Sequence, residues 1–349
     1  MELKVYILRR LLLIIPVLFG VTILIFALLQ LFDPVERAAL YIEDARQFGE
    51  IGAIIQQYGL DQPVWIQYGH WIKQVFQGNL GWSRTVSLPV LEAIVNYLPA
   101  TLELALFATP LIIFGGVFLG TKAAANKDKA IDHTTRLGAI IGWSLPAFWL
   151  GLVLLMLFYG YFQGLLPPER LSTDVNILVH SDEFTRYTRI NTLDAILNGN
   201  MRVFLDALRH LILPVTTLTV VNVAFIMRLM RSSMLEALGK GYILTAMAKG
   251  LRKNTVVNKH ARRNALIPVL TISGYIFAAI VNGVVVTETI FSFKGLGWFT
   301  WQSAVNLDVP SVLAFALFNG ILFVFTNLVV DLLYARIDPR IRLGRAQVS

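Results

Sequence analysis

One segment of the chain has the outline of a phosphate-binding loop. Residues 115–122 read GGVFLGTK, close to the nucleotide-binding pattern G-x-x-x-x-G-K-[ST], in which the lysine reaches the phosphates and the next hydroxyl binds Mg²⁺. Here Thr121 precedes Lys122, so the two groups are in the reverse order, and the glycines lie inside an uncharged run. We therefore predict no ATP site in this chain. Gly116 and Gly120 instead form a G-x-x-x-G step, which favours close packing of two helices.

Patterns for catalysis and metal binding are missing as well. The chain has no cysteine, which excludes disulfides, thiolate catalysis and cysteine-based metal sites. No G-x-S-x-G or other nucleophile motif is present. The five histidines have no metal-ligand spacing: His70, His133, His180, His210 and His260. We therefore expect no enzyme activity, no metal site and no cofactor bound by this chain, and an intramembrane enzyme is disfavoured.

The densest charge lies between residues 228 and 263. This stretch holds nine Lys/Arg and one carboxylate, and uncharged runs long enough to cross a bilayer flank it. Gly239 and Gly241 should interrupt the helix that enters it, a new helix is expected from about Tyr242, and Gly250 is placed to end that helix as a C-terminal cap. The result is a short helix held between two spans at the membrane surface, where a partner can reach it.

The rest of the chain has the composition of a membrane protein. Of its 349 residues 56% are hydrophobic and only 15% are charged. Inside lipid, every backbone amide must be bonded within its own segment, and the apolar runs lack the alternation of barrel strands, so we predict an all-α, polytopic fold. Six runs reach the length of about 18 to 20 residues that a spanning helix needs: 11–32, 104–121, 137–168, 210–227, 264–287 and 309–330. The first should be a retained helix, because Asp33 and Pro34 follow it where a cleavage site would have small residues.

The positive charges predict how these spans are oriented. Of the 30 Lys/Arg, 20 fall in alternate segments, namely 1–10, 122–136, 228–263 and 336–345. The intervening segments hold 10 Lys/Arg and 15 of the 22 Asp/Glu. Cytoplasmic loops carry the excess of Lys/Arg, so both termini are expected in the cytoplasm. Membrane insertion and anionic lipids explain the net charge of +8 without a nucleic-acid partner.

The spans contain few groups that could couple transport to an ion gradient. Secondary carriers usually place ionisable residues near the bilayer midplane, whereas only Glu103 and Asp331 lie near the uncharged runs. This favours an external energy source over a stand-alone carrier or channel. Uncharged polar residues such as Asn222, Asn282 and Asn319 are candidates for lining a polar pathway; their alternative role is interhelical hydrogen bonding, worth about 0.6 kcal/mol on average.

Several ordered motifs bring the chain close to a known family. From about residue 98 onward it resembles the membrane subunits of ATP-binding-cassette (ABC) importers of the dipeptide, oligopeptide and nickel class, specifically the first, B-type, of two paired permeases. The motifs are LPATLEL (98–104), SLPAFWLGL (144–152), RLMRSSMLE (228–236), YILTAMAKGL (242–251), RNALIPV (263–269), TETIFSFKGLG (287–297) and NLVVDLLYARIDPRIR (327–342). Outer segments YGLDQPVWIQYGHWI (58–72) and GNLGWS (78–83) extend the similarity. Lys294 stands where the family often has proline.

The resemblance implies a fold, a set of partners and a function. It implies the type I ABC importer transmembrane fold, in a bacterial or archaeal plasma (inner) membrane, with a second homologous permease, two cytosolic ATPase subunits that bind the ATP, and an extracytoplasmic solute-binding protein. The function would be to form half of a pathway for di- and oligopeptides by alternating access; nickel and oligosaccharides are the alternative cargoes.

The same resemblance assigns a coupling role to the basic loop. The family's Glu-Ala-Ala, three residues, Gly pattern falls on Leu244, Thr245, Ala246 and Gly250, with leucine in place of the glutamate. The residues expected to contact an ATPase are Leu244, Thr245, Ala246, Gly250, Leu251 and Arg252.

These expectations divide the chain into three parts. Residues 1–97 would form a transmembrane helix and an extracytoplasmic segment, and 98–335 the transport domain. That domain would include an extracytoplasmic insertion at about 169–209 and the cytoplasmic coupling loop at about 228–263. Residues 336–349 would form a cytoplasmic tail.

Overall fold

The computed structural model describes residues 3–42 and 51–337, and this part of the chain is mostly helical. The N-terminal helices are α1 (Leu3–Leu29), α2 (Pro34–Ala39), α3 (Ile51–Tyr58) and α4 (Val64–Phe76). A two-stranded antiparallel pair follows, β1 (Trp82–Ser83) and β2 (Leu88–Pro89), with Trp82 opposite Pro89. The remaining helices are α5 (Val90–Ala125), α6 (Ala130–Ser144), α7 (Ala147–Leu155), α8 (Thr173–Val179), α9 (Asn191–Leu197), α10 (Met201–Leu238), α11 (Gly241–Ala248), α12 (Lys253–Thr255), α13 (Arg262–Val281), α14 (Val285–Ile290), α15 (Leu296–Val305) and α16 (Val309–Ile337). Single π-helical turns at Met156–Tyr161 and Val256–Ala261 continue α7 and precede α13.

Five helical segments among the described residues are long and apolar enough to cross a membrane, and a sixth span requires a bent pair. The five lie in α1, α5, α10, the continuous stretch from α12 to α13, and α16. They fall on five of the six predicted runs. In α5 and α10 the helix extends beyond the run at both ends, because turns that contain charged residues, such as Glu92 in α5 and Arg202 in α10, continue the helix past the uncharged stretch.

The predicted third span, residues 137–168, is wrong as a single continuous helix. The chain bends by 93° between α6 and α7. Leu145 has an extended backbone, with φ −76° and ψ 122°, as expected for a residue that precedes proline. Pro146 itself cannot donate a backbone hydrogen bond. From Phe162 to Pro168 the chain is not helical, so this run forms a sharply bent pair of helices and not one straight span.

The centre of the fold is the packing of α5 against α10. A Cβ atom added to Gly116 would lie 2.4 Å from Ile226 Cγ2, and one added to Gly120 would lie 2.6 Å from the Met227 carbonyl oxygen. These distances are shorter than any normal contact. The prediction that the two glycines allow close helix packing is confirmed.

Two buried carboxylates, Glu103 on α5 and Asp308 before α16, join segments that are distant in sequence. Glu103 on α5 is 1% exposed and accepts hydrogen bonds from Arg170 Nη2 at 2.6 Å and Thr192 N at 2.8 Å. It therefore anchors the insertion to α5 as an ion pair. Asp308, which precedes α16, accepts bonds from Ser83 Oγ at 2.6 Å and Ser311 Oγ at 2.9 Å, and so ties the β1–β2 hairpin to α16.

The expected division of the chain meets the structure in two places. The boundary at residue 97 falls inside α5, so the first two parts share one continuous helix. Of the expected tail, residues 338–349 lie outside the described residues.

Candidate coupling surface

Two glycines lie where helix α10 ends and the short helix α11 begins. Helix α10 ends at Leu238, and Gly239 N donates to the carbonyl oxygens of Leu235 and Glu236. Two residues, Gly239 and Lys240, separate it from helix α11, which begins at Gly241. The expected helix break and the new start near Tyr242 are both confirmed.

Gly250 ends α11 with a C-terminal cap. Its φ of +76° lies in the left-handed region, which glycine adopts without strain. Gly250 N donates to Met247 O at 2.9 Å, and Leu251 N donates to Ala246 O at 3.3 Å, the two hydrogen bonds of a Schellman motif. A Cβ at Gly250 would meet no atom within 4 Å. The backbone conformation, and not lack of space, is what selects glycine here.

One face of α11 is sealed into the protein. Ile243 is fully buried and Ala246 is 7% exposed, and both belong to the main core cluster together with Val256, Val257 and Ala261. This corrects the expectation for Ala246. Ile243 and Ala246 lie on the same face of α11, the face that packs against the core. Ala246 therefore helps to hold α11 in place.

The opposite face is apolar and exposed. Leu244 is 66% exposed, Met247 49% and Leu251 40%. We call these three residues the α11 apolar face. Thr245 and Arg252, also expected at this surface, are exposed beside it. Met247 was missed from the sequence, although it stands three residues after Leu244, on the same side of the helix.

Exposed positive charge is concentrated in the stretch of chain that leads from the α11 apolar face into α13. No carboxylate of the described residues lies within 4 Å of the six basic side chains that follow it, all of them exposed: Lys249, Arg252, Lys253, Lys259, Arg262 and Arg263. Two other members of the basic stretch are engaged internally. Arg231 makes a two-point ion pair with Asp132 at 2.6 and 2.7 Å, and the Arg228 guanidinium lies 4.6 Å from the Trp143 ring centroid.

Comparison with known protein families identifies the chain as a membrane transport component. It matches the family described as binding-protein-dependent transport system inner membrane component over residues 112–343, and the N-terminal region of such components over residues 3–105. The chain belongs to this family. A probable D,D-dipeptide transport system permease of Escherichia coli K12 is 42% identical over 93% of this chain and 94% of its own length. The dipeptide permease of the same strain is 38% identical over 97% and 98%. A di/tripeptide permease of Pseudomonas aeruginosa is 40% identical over 97% and 99%.

The three asparagines expected to line a pathway lie on different helices of this permease. Asn222 is on α10 and bonds its own helix, donating to Leu218 O at 2.8 Å. Asn282 ends α13, and Asn319 lies on α16. The Oδ1 atoms of Asn282 and Asn319 are buried without a hydrogen-bond partner among the described residues. No hydrogen bond links any two of the three, so their role as pathway residues stays a prediction.

The motif TETIFSFKGLG has a structural role in the permease. Glu288 is fully buried; it accepts hydrogen bonds from Thr101 Oγ1 and from Trp298 N, each at 2.7 Å. Leu296 N donates to Thr101 Oγ1 at 2.7 Å. The two side chains thus bind amide groups at the start of α15, where the helix dipole favours an acceptor. Burial raises the pKa of Glu288 above its ordinary value.

Metal binding finds no support in the described residues, where no group of three His, Cys, Asp or Glu side chains could hold an ion.

Proposed function

We propose that this permease forms half of the translocation pathway of an ATP-driven importer for short peptides. Its α11 apolar face would dock on a cytosolic ATPase subunit that binds the ATP, and the chain itself would catalyse no reaction. Membership of the family supports the transport role, and the names of the relatives favour peptides over nickel or oligosaccharides. The complete assembly would contain a second homologous permease, two ATPase subunits and an extracytoplasmic solute-binding protein.

The observation that carries the docking proposal is the two-sided character of α11. Its inner face is fixed in the core, whereas Leu244 and Met247 stand outside it. Exposed apolar clusters with a polar rim are typical of protein–protein contacts. The exposed basic residues that follow this face in the chain favour acidic side chains on the partner. A partner that binds a helix fixed in this way moves the spans with it. Such a contact could bias the alternating-access equilibrium, provided that the ATPase binds the two states with different affinity.

The orientation follows from the same proposal. The α11 apolar face must be in the cytoplasm to meet an ATPase, which places both termini inside, in agreement with the positive charges. Reporter fusions after Lys122, Arg252 and Arg342 should report the cytoplasm, and fusions near His70 and Asp182 the exterior. An inverted result at residue 122 or 252 would contradict the arrangement.

Replacing Leu244 with Ala tests the docking surface. Complete burial of a leucine side chain stabilises by about 1.5 to 3 kcal/mol, and two-thirds of this side chain is available, so we expect a loss of about 1 to 2 kcal/mol, or roughly 5- to 30-fold in affinity for the ATPase. The measurement is binding of the purified ATPase subunits to the permease pair in nanodiscs. Leu307→Ala is the matched control, because Leu307 is 84% exposed in the turn between α15 and α16.

Two outcomes separate the parts of the proposal. Unchanged ATPase affinity in Leu244→Ala would show that α11 is not the docking element. Uptake of a labelled dipeptide into proteoliposomes containing the whole importer tests the cargo, with and without ATP. An importer that hydrolyses ATP but fails to accumulate any short peptide would refute the peptide assignment and leave the docking assignment intact.

A further inference from the structure

A cavity of about 340 Å³ opens where the insertion meets the turn between α14 and α15. The insertion contributes Glu169, Arg170 and Arg186, and the turn contributes Ser292 and Lys294. Cavities of this size are typical of small-molecule sites. Two segments separated by more than 100 residues in sequence thus build one concave surface.

Three cations line this cavity against one carboxylate, that of Glu169. Arg170 uses one nitrogen, Nη2, to bind Glu103 at 2.6 Å, and its Nε is buried without a partner among the described residues. No carboxylate in the described ranges lies within 4 Å of the charged groups of Arg186 or Lys294. The cavity therefore has positive charge and hydrogen-bond donors to spare.

A histidine holds one of these cations in place. His180 Nδ1 lies 2.8 Å from Asn176 O, and its Nε2 lies 2.8 Å from Arg186 Nη1. Because the carbonyl and the guanidinium can only accept and donate respectively, Nδ1 donates to the carbonyl and Nε2 accepts from the guanidinium. The pKa of Arg186 lies below its ordinary value because of burial and then the nearby charges of Arg170 and Arg189. A bound anion would relieve that repulsion.

We infer that this cavity binds the carboxylate end of a short peptide through Arg186, Lys294 and the free donors of Arg170. The guanidinium fork matches a carboxylate in two-point geometry. Glu169 supplies the negative charge for the ammonium end, so the cavity suits a zwitterion better than a simple anion. The inference rests on the proposed peptide cargo.

The test is binding of labelled dialanine to the complete importer in nanodiscs, in the absence of the solute-binding protein. We expect Arg186→Gln and Lys294→Gln each to weaken binding by about tenfold or more, and the C-terminal amide of dialanine to bind more weakly than dialanine by a similar factor. N-acetyl-dialanine should bind the wild type more weakly than dialanine does. In Glu169→Gln, acetylation of the peptide should cause no further loss of affinity. Arg202→Gln is the matched control, because Arg202 is an exposed arginine that pairs with Asp174 outside the cavity.

Four results would overturn the inference: no dialanine binding to the wild type, equal binding of the amide, binding that neither Arg186→Gln nor Lys294→Gln changes, or, in a separate titration with the solute-binding protein, variants that weaken only the association of that protein. The last result would mean that the cavity receives an acidic side chain of that protein. Peptide uptake by the wild-type importer in any of these cases would leave the proposed function standing while the cavity assignment falls.

Discussion

The ion pair between Asp132 on α6 and Arg231 on α10 should be a main support of the end of the permease that carries α11. Two nearly parallel hydrogen bonds join the groups, Nε to Oδ1 at 2.6 Å and Nη2 to Oδ2 at 2.7 Å. Asp132 is fully buried, and Asp128 N donates to the same carboxylate at 3.1 Å. The pair therefore links the first half of the broken span to the end of α10 that leads into α11.

Replacing Arg231 with Gln removes the charge and leaves a buried carboxylate without a cation. Breaking a fully buried pair costs about 3 to 5 kcal/mol. The Arg231 side chain keeps 19% of its surface exposed, so water can partly compensate, and we expect a loss of about 2 to 3 kcal/mol in the free energy of unfolding. The measurement is unfolding of the purified permease by SDS in mixed micelles.

An exposed ion pair in the same region provides the control. Lys240 and Glu236 lie 3.0 Å apart, with side chains 56% and 73% exposed, and such pairs contribute about 0 to 1 kcal/mol. Glu236→Gln should therefore cost less than 1 kcal/mol. The double variant Asp132→Asn with Arg231→Gln should recover part of the loss, because it removes the unpaired charge. If Arg231→Gln is as mild as Glu236→Gln, the burial argument for this pair is refuted.

Two further predictions concern packing and pH. Gly120→Ala should cost about 1 to 3 kcal/mol of stability, because the new methyl group presses on the α10 backbone. Gly138→Ala should be close to neutral in the same assay, because a Cβ at position 138 meets nothing within 4 Å. Equal effects of the two substitutions would contradict the packing argument. Because the pKa of Glu288 is raised in the folded protein, its protonated form is favoured there, so stability should fall as pH rises above the ordinary pKa of glutamate toward the raised value. Glu288→Gln cannot ionise and should flatten that part of the stability–pH curve; an unchanged slope would exclude Glu288 as its source.

The spans could be predicted because the bilayer imposes a length and excludes charge. That rule predicts the apolar part of a helix but not its ends. Helix α5 therefore starts at Val90, although the uncharged run begins only at residue 104. It also failed at Pro146. A proline within an uncharged run is compatible with a kinked helix or a sharp break, and only packing against neighbouring helices decides between them.

The loop at 228–263 was predictable where local backbone chemistry determines the structure. Gly239, Gly241 and Gly250 indicated the ends of α11 from the sequence, since the helix caps depend on nearby residues. The burial of Ala246 depends on the rotation of α11 about its axis, which is set by Val256 and Val257 after the next turn. Glu103 is a similar case, because its partner Arg170 lies 67 residues further along the chain and no local pattern connects the two.

The packing of α11 against the main core cluster determines which parts of the permease a docked ATPase could move. The main core cluster that holds Ile243 also contains Met234 from α10 and Ala265 from α13. A displacement of α11 must therefore act on both helices together, since the close-packed interior transmits movement instead of absorbing it. Helix α1 is in a different position: among the described residues it packs against α4 and α16 and has no comparable contact with α10 or α13. The α10–α13 pair with α5 is accordingly the unit expected to rock, and α1 would follow only through α16.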